Sequence, residues 1–138
     1  MIVLDTNVIS EVFKPTPAAG VLSWLQQQDD SELFTTAVTR GELMYGLNIM
    51  ANGKRREILL SGLERIFARR FVGRVLPYDE PAADAYAEIL AHRRRVGQPT
   101  GAADAMIAGI ARSHGATLAT RNVRDFEGCG ITLVDPWH

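Results

Sequence analysis

Short apolar segments alternate with helical segments along the whole chain, and this alternation constrains the fold more than any other feature. The apolar segments predict strands at 2–4, 33–35, 74–76, 116–119 and 131–134. Amphipathic patterns between them predict helices at 18–28, 37–51, 54–71, 79–96 and 100–114. Strands that alternate with helices are typical of a parallel sheet covered on both faces. We therefore predict a three-layer α/β/α fold with a mostly parallel central sheet of about five strands.

Length and composition limit the classes of protein to consider. The chain has 138 residues, which fits a single domain over 1–138, and its 15 basic and 16 acidic residues give a net charge of −1. This balance excludes a strongly basic nucleic-acid binder but not a local basic patch. No apolar run is long enough to span a membrane, no secretory signal is evident, and Cys129 is the single cysteine. These features predict a cytoplasmic protein without membrane association or an internal disulfide.

The boundaries of the last two long helices carry recognisable signals. Asp79 precedes Glu80-Pro81, which is a typical helix start, and Gly97 is a typical helix end. Thr100 is expected to cap the following helix, which Gly115 would end.

Three carboxylates occur where apolar neighbours predict something else. Asp5 ends the first buried strand, Glu42 lies on a helix stripe with Tyr45 and Ile49, and Asp104 is the single charge between Gly101 and Ile110. Each acid alone has a structural explanation as a helix cap or a first-turn acid. All three, however, lie just after predicted strands or near helix starts, which meet at one edge of a parallel sheet. We therefore expect a cluster of like charges.

Such a cluster either takes up a proton or binds a cation. Oxygen ligands alone favour Mg²⁺ or Mn²⁺, and Asp5, Asp104 and Glu42 are the expected ligands. The histidines and Cys129 lack the spacing of a zinc site. A fourth contribution is expected from Asn122 or Asp125, although an Asx turn explains Asn122 equally well.

Basic residues near these acids could contact a phosphate backbone. Arg121 and Arg124 border the segment of Asn122 and Asp125 and are the expected substrate-binding residues. The basic runs 54–56 and 93–95 could extend this track, but solvated helix ends explain them more simply.

Four short motifs occur in a characteristic order: L-D-T-N-V-I-S at 4–10, T-R-G-E-L-M-Y-G at 39–46, A-A-D-A-M-I-A at 102–108 and T-R-N-V-R-D-F at 120–126. Together they resemble the PIN domain, and in particular the FitB-like branch of the VapC-type toxins of bacterial toxin–antitoxin pairs. The ending Asp135-Pro136-Trp137-His138 is similar to the ends of FitB-like chains.

The resemblance implies an endoribonuclease dependent on Mg²⁺ or Mn²⁺, with Asp5, Glu42 and Asp104 as its acidic residues. Asn122 stands where many relatives have Asp, so the identity of the fourth residue, Asn122 or Asp125, stays open. The resemblance also implies a homodimer and a cognate antitoxin that occludes the site and carries the complex to operator DNA. The residues expected to support the acids are Thr6, Asn7 and Thr120.

Three other functions share parts of this pattern. A small Mg²⁺-dependent phosphatase of the haloacid-dehalogenase type needs a second Asp two residues after Asp5, where this chain has Asn7. A receiver domain needs a late Lys, and none follows Lys54. A catalytically degenerate PIN domain that binds a protein is kept open by Asn122.

Overall fold

Five short strands pair into one sheet in the computed structural model, which describes residues 1–138. They are β1 (Ile2–Leu4), β2 (Leu33–Thr36), β3 (Val75–Leu76), β4 (Thr117–Ala119) and β5 (Thr132–Val134). Their order across the sheet is β3-β2-β1-β4-β5, and every pairing is parallel. The predicted α/β class is therefore confirmed, with a sheet that is wholly parallel.

Six helices connect the strands, and none of them combines the length and the apolar character needed to cross a membrane. They are α1 (Thr6–Val12), α2 (Ala19–Gln27), α3 (Ala37–Asn48), α4 (Lys54–Arg65), α5 (Glu80–Arg95) and α6 (Ala102–Ser113). Short 3₁₀ helices lie at Asp30–Glu32 and Val123–Phe126.

The two faces of the sheet build separate hydrophobic clusters, because neighbouring residues of a strand point in opposite directions. Val3 of β1 and Leu118 of β4 pack with apolar residues of α5 and α6. Leu4 and Ala119, the next residue of each strand, pack with residues of α1 to α4. This division gives the three layers.

A close contact between α5 and α6 depends on Gly109. A Cβ atom at this position would lie 2.6 Å from the carbonyl oxygen of Ala82 and 2.9 Å from the backbone nitrogen of Tyr86. Both atoms belong to the backbone of α5, so they cannot move aside as a flexible side chain would. The two helices can approach this closely only because residue 109 has no side chain.

The predicted helix over 54–71 is interrupted in the structure. The α-helix ends at Arg65 and a π-helical turn follows at Ile66–Arg70, where the Phe71 N–H donates to the Ile66 carbonyl at 3.1 Å. Phe67 and Phe71 are both buried, with ring centroids 6.1 Å apart. The wider turn therefore accommodates two aromatic rings in one cluster.

The prediction that Thr100 caps α6 is wrong. Gly101 occupies the cap position and makes no side-chain hydrogen bond. The Thr100 hydroxyl instead accepts from Arg93 Nε at 2.8 Å and lies 3.3 Å from the Asp125 carbonyl oxygen. Arg93 is buried, so it is not the exposed phosphate contact considered for the 93–95 run. Its guanidinium needs acceptors inside the protein, and Thr100 supplies one of them.

Candidate active site

Three carboxylates from distant parts of the chain line one pocket of about 360 Å³ at the carboxyl edge of the sheet. Asp5 follows β1, Glu42 lies in the second turn of α3, and Asp104 lies in the first turn of α6. We call this site the acidic pocket; its lining residues are Asp5, Thr6, Asn7, Ser10, Glu11, Lys14, Glu42, Asp104, Arg121, Asn122 and Trp137. The convergence expected from the strand and helix pattern is thus present in the structure.

Asp5 is buried and firmly held. Its carboxylate accepts hydrogen bonds from the Thr6 N–H at 2.8 Å, the Thr120 hydroxyl at 2.8 Å and Asn7 Nδ2 at 3.4 Å. Burial raises the pKa of Asp5, the bonds from Thr120 and Thr6 oppose that rise, and the charges of other nearby carboxylates add to it. The three residues expected to support the acids therefore all contact Asp5.

Thr6 connects the first carboxylate to the second. Its backbone N–H binds Asp5, while its hydroxyl donates to Glu42 Oε1 at 2.7 Å. The Thr39 hydroxyl oxygen lies 3.1 Å from that of Thr6. Residues of α1 and α3 thereby fix the position of Glu42 relative to Asp5.

Asp104 has the least favourable electrostatic environment of the three. Burial raises its pKa to about 6, and the charges of Asp5, Glu42 and Asp125 contribute to this rise. No contribution lowers it. The acids therefore repel one another across the pocket.

No basic side chain neutralises these acids. The ion pairs of the protein join other carboxylates: Glu11 to Lys14, Asp30 to Arg70, Glu88 to Arg112, and Glu32 to the terminal amine. Glu11 and Lys14, which pair at 2.8 Å, line the same pocket. They compensate each other's charge and leave Asp5, Glu42 and Asp104 without a basic partner.

Of the predicted site residues in the segment after β4, some line the acidic pocket and others lie outside it. Asn122 lines the pocket, and its N–H donates to Thr120 Oγ1 at 3.1 Å. Asp125 does not line the pocket, but its charge raises the pKa of both Asp5 and Asp104. Arg121 lines the pocket, whereas Arg124 lies outside it and is exposed.

The chemistry of this donor set fits a hard dication, because the converging side chains of Asp5, Glu42 and Asp104 are all carboxylates without a basic partner. The acids do not form a complete coordination shell, since no three His, Cys, Asp or Glu side chains stand ready to hold one ion together. Mg²⁺ commonly keeps several of its waters and binds through one or two carboxylates. The residues present suit that mode better than a cage of three direct ligands.

Four residues that line the pocket were not predicted as site residues from the sequence: Ser10, Glu11, Lys14 and Trp137. Asn7, Ser10, Glu11 and Lys14 recur at the spacing of one helical face, and this face begins two residues after Asp5. That periodicity could have identified the α1 residues. No comparable pattern marks Trp137, which enters the site only through the path of the chain after β5.

A model of the PIN domain matches residues 2–128. The chain belongs to the PIN-domain family. Among its relatives, it is 43% identical to a VapC ribonuclease, Y4jK, of Sinorhizobium fredii, over 99% of this chain and 98% of the relative. It is 39% identical to the toxin FitB of Neisseria gonorrhoeae, over 100% of this chain and 99% of the toxin. A solved structure of FitAB bound to a DNA fragment superposes with a TM-score of 0.94 at 38% identity, covering 100% of this PIN domain and 96% of that chain.

Membership in the PIN-domain family does not favour two of the alternatives raised by the sequence, the haloacid-dehalogenase-type phosphatase and the receiver domain. The four motifs that suggested the family lie on β1 with α1, on α3, on α6 and after β4.

Proposed function

We propose that this PIN domain is a divalent-metal-dependent endoribonuclease and the toxin of a toxin–antitoxin pair. The observation that carries the proposal is the convergence of Asp5, Glu42 and Asp104 in one pocket without a basic partner. The names of the VapC ribonuclease and of the toxin FitB supply the reaction class and the biological setting.

We assign Asp5 and Asp104 as direct ligands of Mg²⁺ or Mn²⁺, and Glu42 as a ligand through water or as the group that orients the attacking water. A bound dication would lower the pKa of a water molecule and offset the charge that develops on the phosphate. Thr6 and Thr120 hold the carboxylates of Glu42 and Asp5 in fixed orientations by hydrogen bonds.

The remaining residues of the site are assigned by position. Asn122 lines the pocket and is proposed as a polar ligand or water-orienting group, while Asp125 acts through its charge from outside the pocket. Arg121 provides positive charge in the pocket and is proposed to meet a phosphate of the RNA, whereas the charge of Lys14 is compensated by Glu11. Arg124, which is exposed outside the pocket, could contact only a more distant phosphate of the same strand.

The partners form part of the same proposal. We expect RNA as substrate, a cognate antitoxin as inhibitor, a homodimer as the active form, and a larger assembly of toxin and antitoxin on operator DNA. One relative whose structure superposes with a TM-score of 0.94 was solved as FitAB bound to a DNA fragment, which supports the last expectation. A cytoplasmic location follows from the same proposal, since the RNA and the antitoxin are made there.

The proposal is tested with a fluorophore–quencher pool of single-stranded RNA of randomised sequence. We expect cleavage with Mg²⁺ or Mn²⁺, none with EDTA, and a loss of about 100-fold or more in Asp5→Asn and Asp104→Asn, because each removes a charged ligand. Asp84→Asn, an exposed acid of α5, serves as the matched control and should cleave like the wild type.

Two results would contradict the proposal. Cleavage that persists in EDTA or in Asp104→Asn would remove the carboxylates from the chemistry. A protein that neither cleaves RNA nor binds Mn²⁺ in calorimetry would instead be the catalytically degenerate PIN domain.

A further inference from the structure

Arg121 lies at the acidic pocket in an unexpected arrangement. Its guanidinium carbon is 5.0 Å from the centroid of the Trp137 ring, and both residues line the pocket. The same pocket holds the carboxylates of Asp5, Glu42 and Asp104, yet Arg121 forms no ion pair with any of them.

This contact leaves the guanidinium available. A cation over an aromatic ring is attracted to the ring itself and not to a hydrogen-bond acceptor, so the N–H donors of Arg121 stay free for a ligand. An arginine without such a platform is attracted to the carboxylates of the pocket, where it would neutralise the charge that a dication needs. Over the Trp137 ring, Arg121 keeps its charge in the pocket and forms no ion pair with Asp5, Glu42 or Asp104. The bond from Lys14 lowers the pKa of Glu11, and the charge of Arg121 adds to this lowering.

Both partners of the stack are held in place. The backbone N–H of Arg121 donates to Asn7 Oδ1 at 3.3 Å, and this bond holds the backbone of Arg121 beside the start of α1. Trp137 packs against the hydrophobic cluster on the α1 to α4 side of the sheet. The backbone N–H of Trp137 donates to Asp135 Oδ1 at 2.9 Å, and the backbone N–H of His138 donates to the Asp135 carbonyl at 3.1 Å. The ring is thus presented to Arg121 by a defined turn.

We infer that Trp137 is a positioning residue whose ring holds Arg121 at the acidic pocket, apart from the carboxylates, so that the guanidinium binds a backbone phosphate of the RNA strand. This inference rests on the proposed function. It separates two tasks within one pocket: the acids remain free for the dication, and the arginine remains free for the substrate.

The inference has a consequence for metal binding that needs no catalysis to observe. In Trp137→Leu the apolar packing is largely kept but the aromatic face is lost, so Arg121 should pair with a carboxylate. We expect the Kd for Mn²⁺, measured by calorimetry without RNA, to rise by about 5- to 10-fold, since an arginine must be displaced. In the double variant Trp137→Leu/Arg121→Ala the Kd should return to the wild-type value.

The second measurement is kcat/KM for the RNA pool at increasing KCl. Trp137→Leu and Arg121→Ala should each lower the salt slope by about 0.7, the value for one phosphate contact on a single strand. The double variant should be no worse than Arg121→Ala, because Trp137 acts through Arg121. Trp137→Phe, which keeps an aromatic face, should retain most of the wild-type slope.

Trp24→Leu is the matched control. Trp24 packs against the same hydrophobic cluster but does not line the acidic pocket, so this variant loses similar packing. It should leave both the Mn²⁺ Kd and the salt slope unchanged.

Three outcomes would overturn the inference. An unchanged Mn²⁺ Kd and an unchanged salt slope in Trp137→Leu would mean that Trp137 contributes only hydrophobic packing. Additive losses in the double variant would mean that Trp137 contacts the RNA by itself.

If Trp137→Leu fails to fold, the variant Trp24→Phe leaves Trp137 as the single tryptophan. Its emission should then change when the RNA pool is added in EDTA, and this change should vanish in Trp24→Phe/Arg121→Ala; an unchanged emission also rejects the inference. A wild type that cleaves RNA in these assays keeps the proposed function whatever Trp137 does.

Discussion

At the scale of single residues, the carboxyl group of Asp104 links stability to pH. Its pKa is about 6 in the folded protein against 3.8 for a free aspartate, because burial and three neighbouring carboxylates disfavour its charge. The folded protein therefore holds this proton more tightly than the unfolded chain does. The resulting stabilisation is complete below about pH 4 and is lost as the pH rises through 6.

We predict that Asp104→Asn is more stable than the wild type at neutral pH when no metal is bound. One pKa unit corresponds to about 1.4 kcal/mol. Because solvent reaches part of this carboxyl group, we expect a gain of about 1 to 2 kcal/mol rather than the full value. Urea unfolding in EDTA measures the difference between the two proteins, which should disappear towards about pH 4.

The exposed Asp84 provides the comparison for this experiment. Asp84→Asn should leave the free energy of unfolding within about 0.5 kcal/mol of the wild type at every pH, as is usual for a surface substitution. A gain in Asp104→Asn that is independent of pH would show that repulsion among the acids is not its cause.

The sequence predicts the acidic residues of the site better than the polar residues around them. Asp5, Glu42 and Asp104 stand out because a charge among apolar neighbours needs a reason. Lys14 follows the end of α1, and nothing in the sequence shows that the chain at this point lies beside Asp5. Arg121 and Arg124 look equivalent in the sequence, and only the short turn after β4 brings one into the pocket and leaves the other outside.

At the scale of secondary-structure elements, the contact between α5 and α6 helps to fix the position of one carboxylate of the acidic pocket. Asp104 belongs to the first turn of α6, and Gly109 lies little more than one turn further along the same helix. The position of the third carboxylate therefore depends on how closely α6 approaches α5.

We predict that Gly109→Ala destabilises the protein by about 1 to 3 kcal/mol, since the added methyl group meets the backbone of α5 and forces the helices apart. The same shift should move Asp104 and weaken Mn²⁺ binding in calorimetry. Thermal or urea unfolding measures the first effect.

Gly41→Ala is the matched substitution. Gly41 lies inside α3 with nothing within 4 Å of the position of its Cβ, so alanine should stabilise the protein by about 0.5 to 1 kcal/mol. If both variants were destabilised by a similar amount, the loss in Gly109→Ala would come from replacing a helical glycine and not from the contact between α5 and α6.

The element boundaries show where local sequence signals fail. The helix start predicted at Asp79-Glu80-Pro81 is confirmed. The Asp79 side chain caps α5 by accepting from the Ala82 N–H at 3.1 Å, a bond that depends only on residues three apart in the chain. Thr100 has an equally good local signal but bonds to Arg93 instead. The π-helical turn was missed for a similar reason, since it depends on the burial of Phe67 and Phe71 in a cluster assembled from distant elements.

At the scale of the whole molecule, the proposed metal site would couple ion binding to folding. Asp5 follows β1, Glu42 lies in α3 and Asp104 lies in α6, so only the folded chain brings the three acids into one pocket. A ligand that binds the folded state alone stabilises it by about 2.7 kcal/mol at 100 times its Kd. The repulsion around Asp104 should add to this coupling, since the ion replaces it with attraction.

We predict that saturating Mn²⁺ raises the Tm of the wild type by several degrees and removes most of the pH dependence that Asp104 confers. Differential scanning calorimetry at neutral pH with Mn²⁺ or EDTA measures the shift. Asp5→Asn should show little of it, and Asp84→Asn should show all of it. An equal shift in all three proteins would point to ions bound outside the acidic pocket.

The strand order also has a consequence for synthesis on the ribosome. The first strand to be made occupies the centre of the sheet, and one of its two neighbours is β4, near the end of the chain. The hydrogen bond between Thr120 and Asp5 spans 115 residues. A nascent chain therefore emerges with its central strand unpaired on one side and with Asp5 lacking its Thr120 partner. The acidic pocket can be complete only when translation has passed β4, close to the end of the chain.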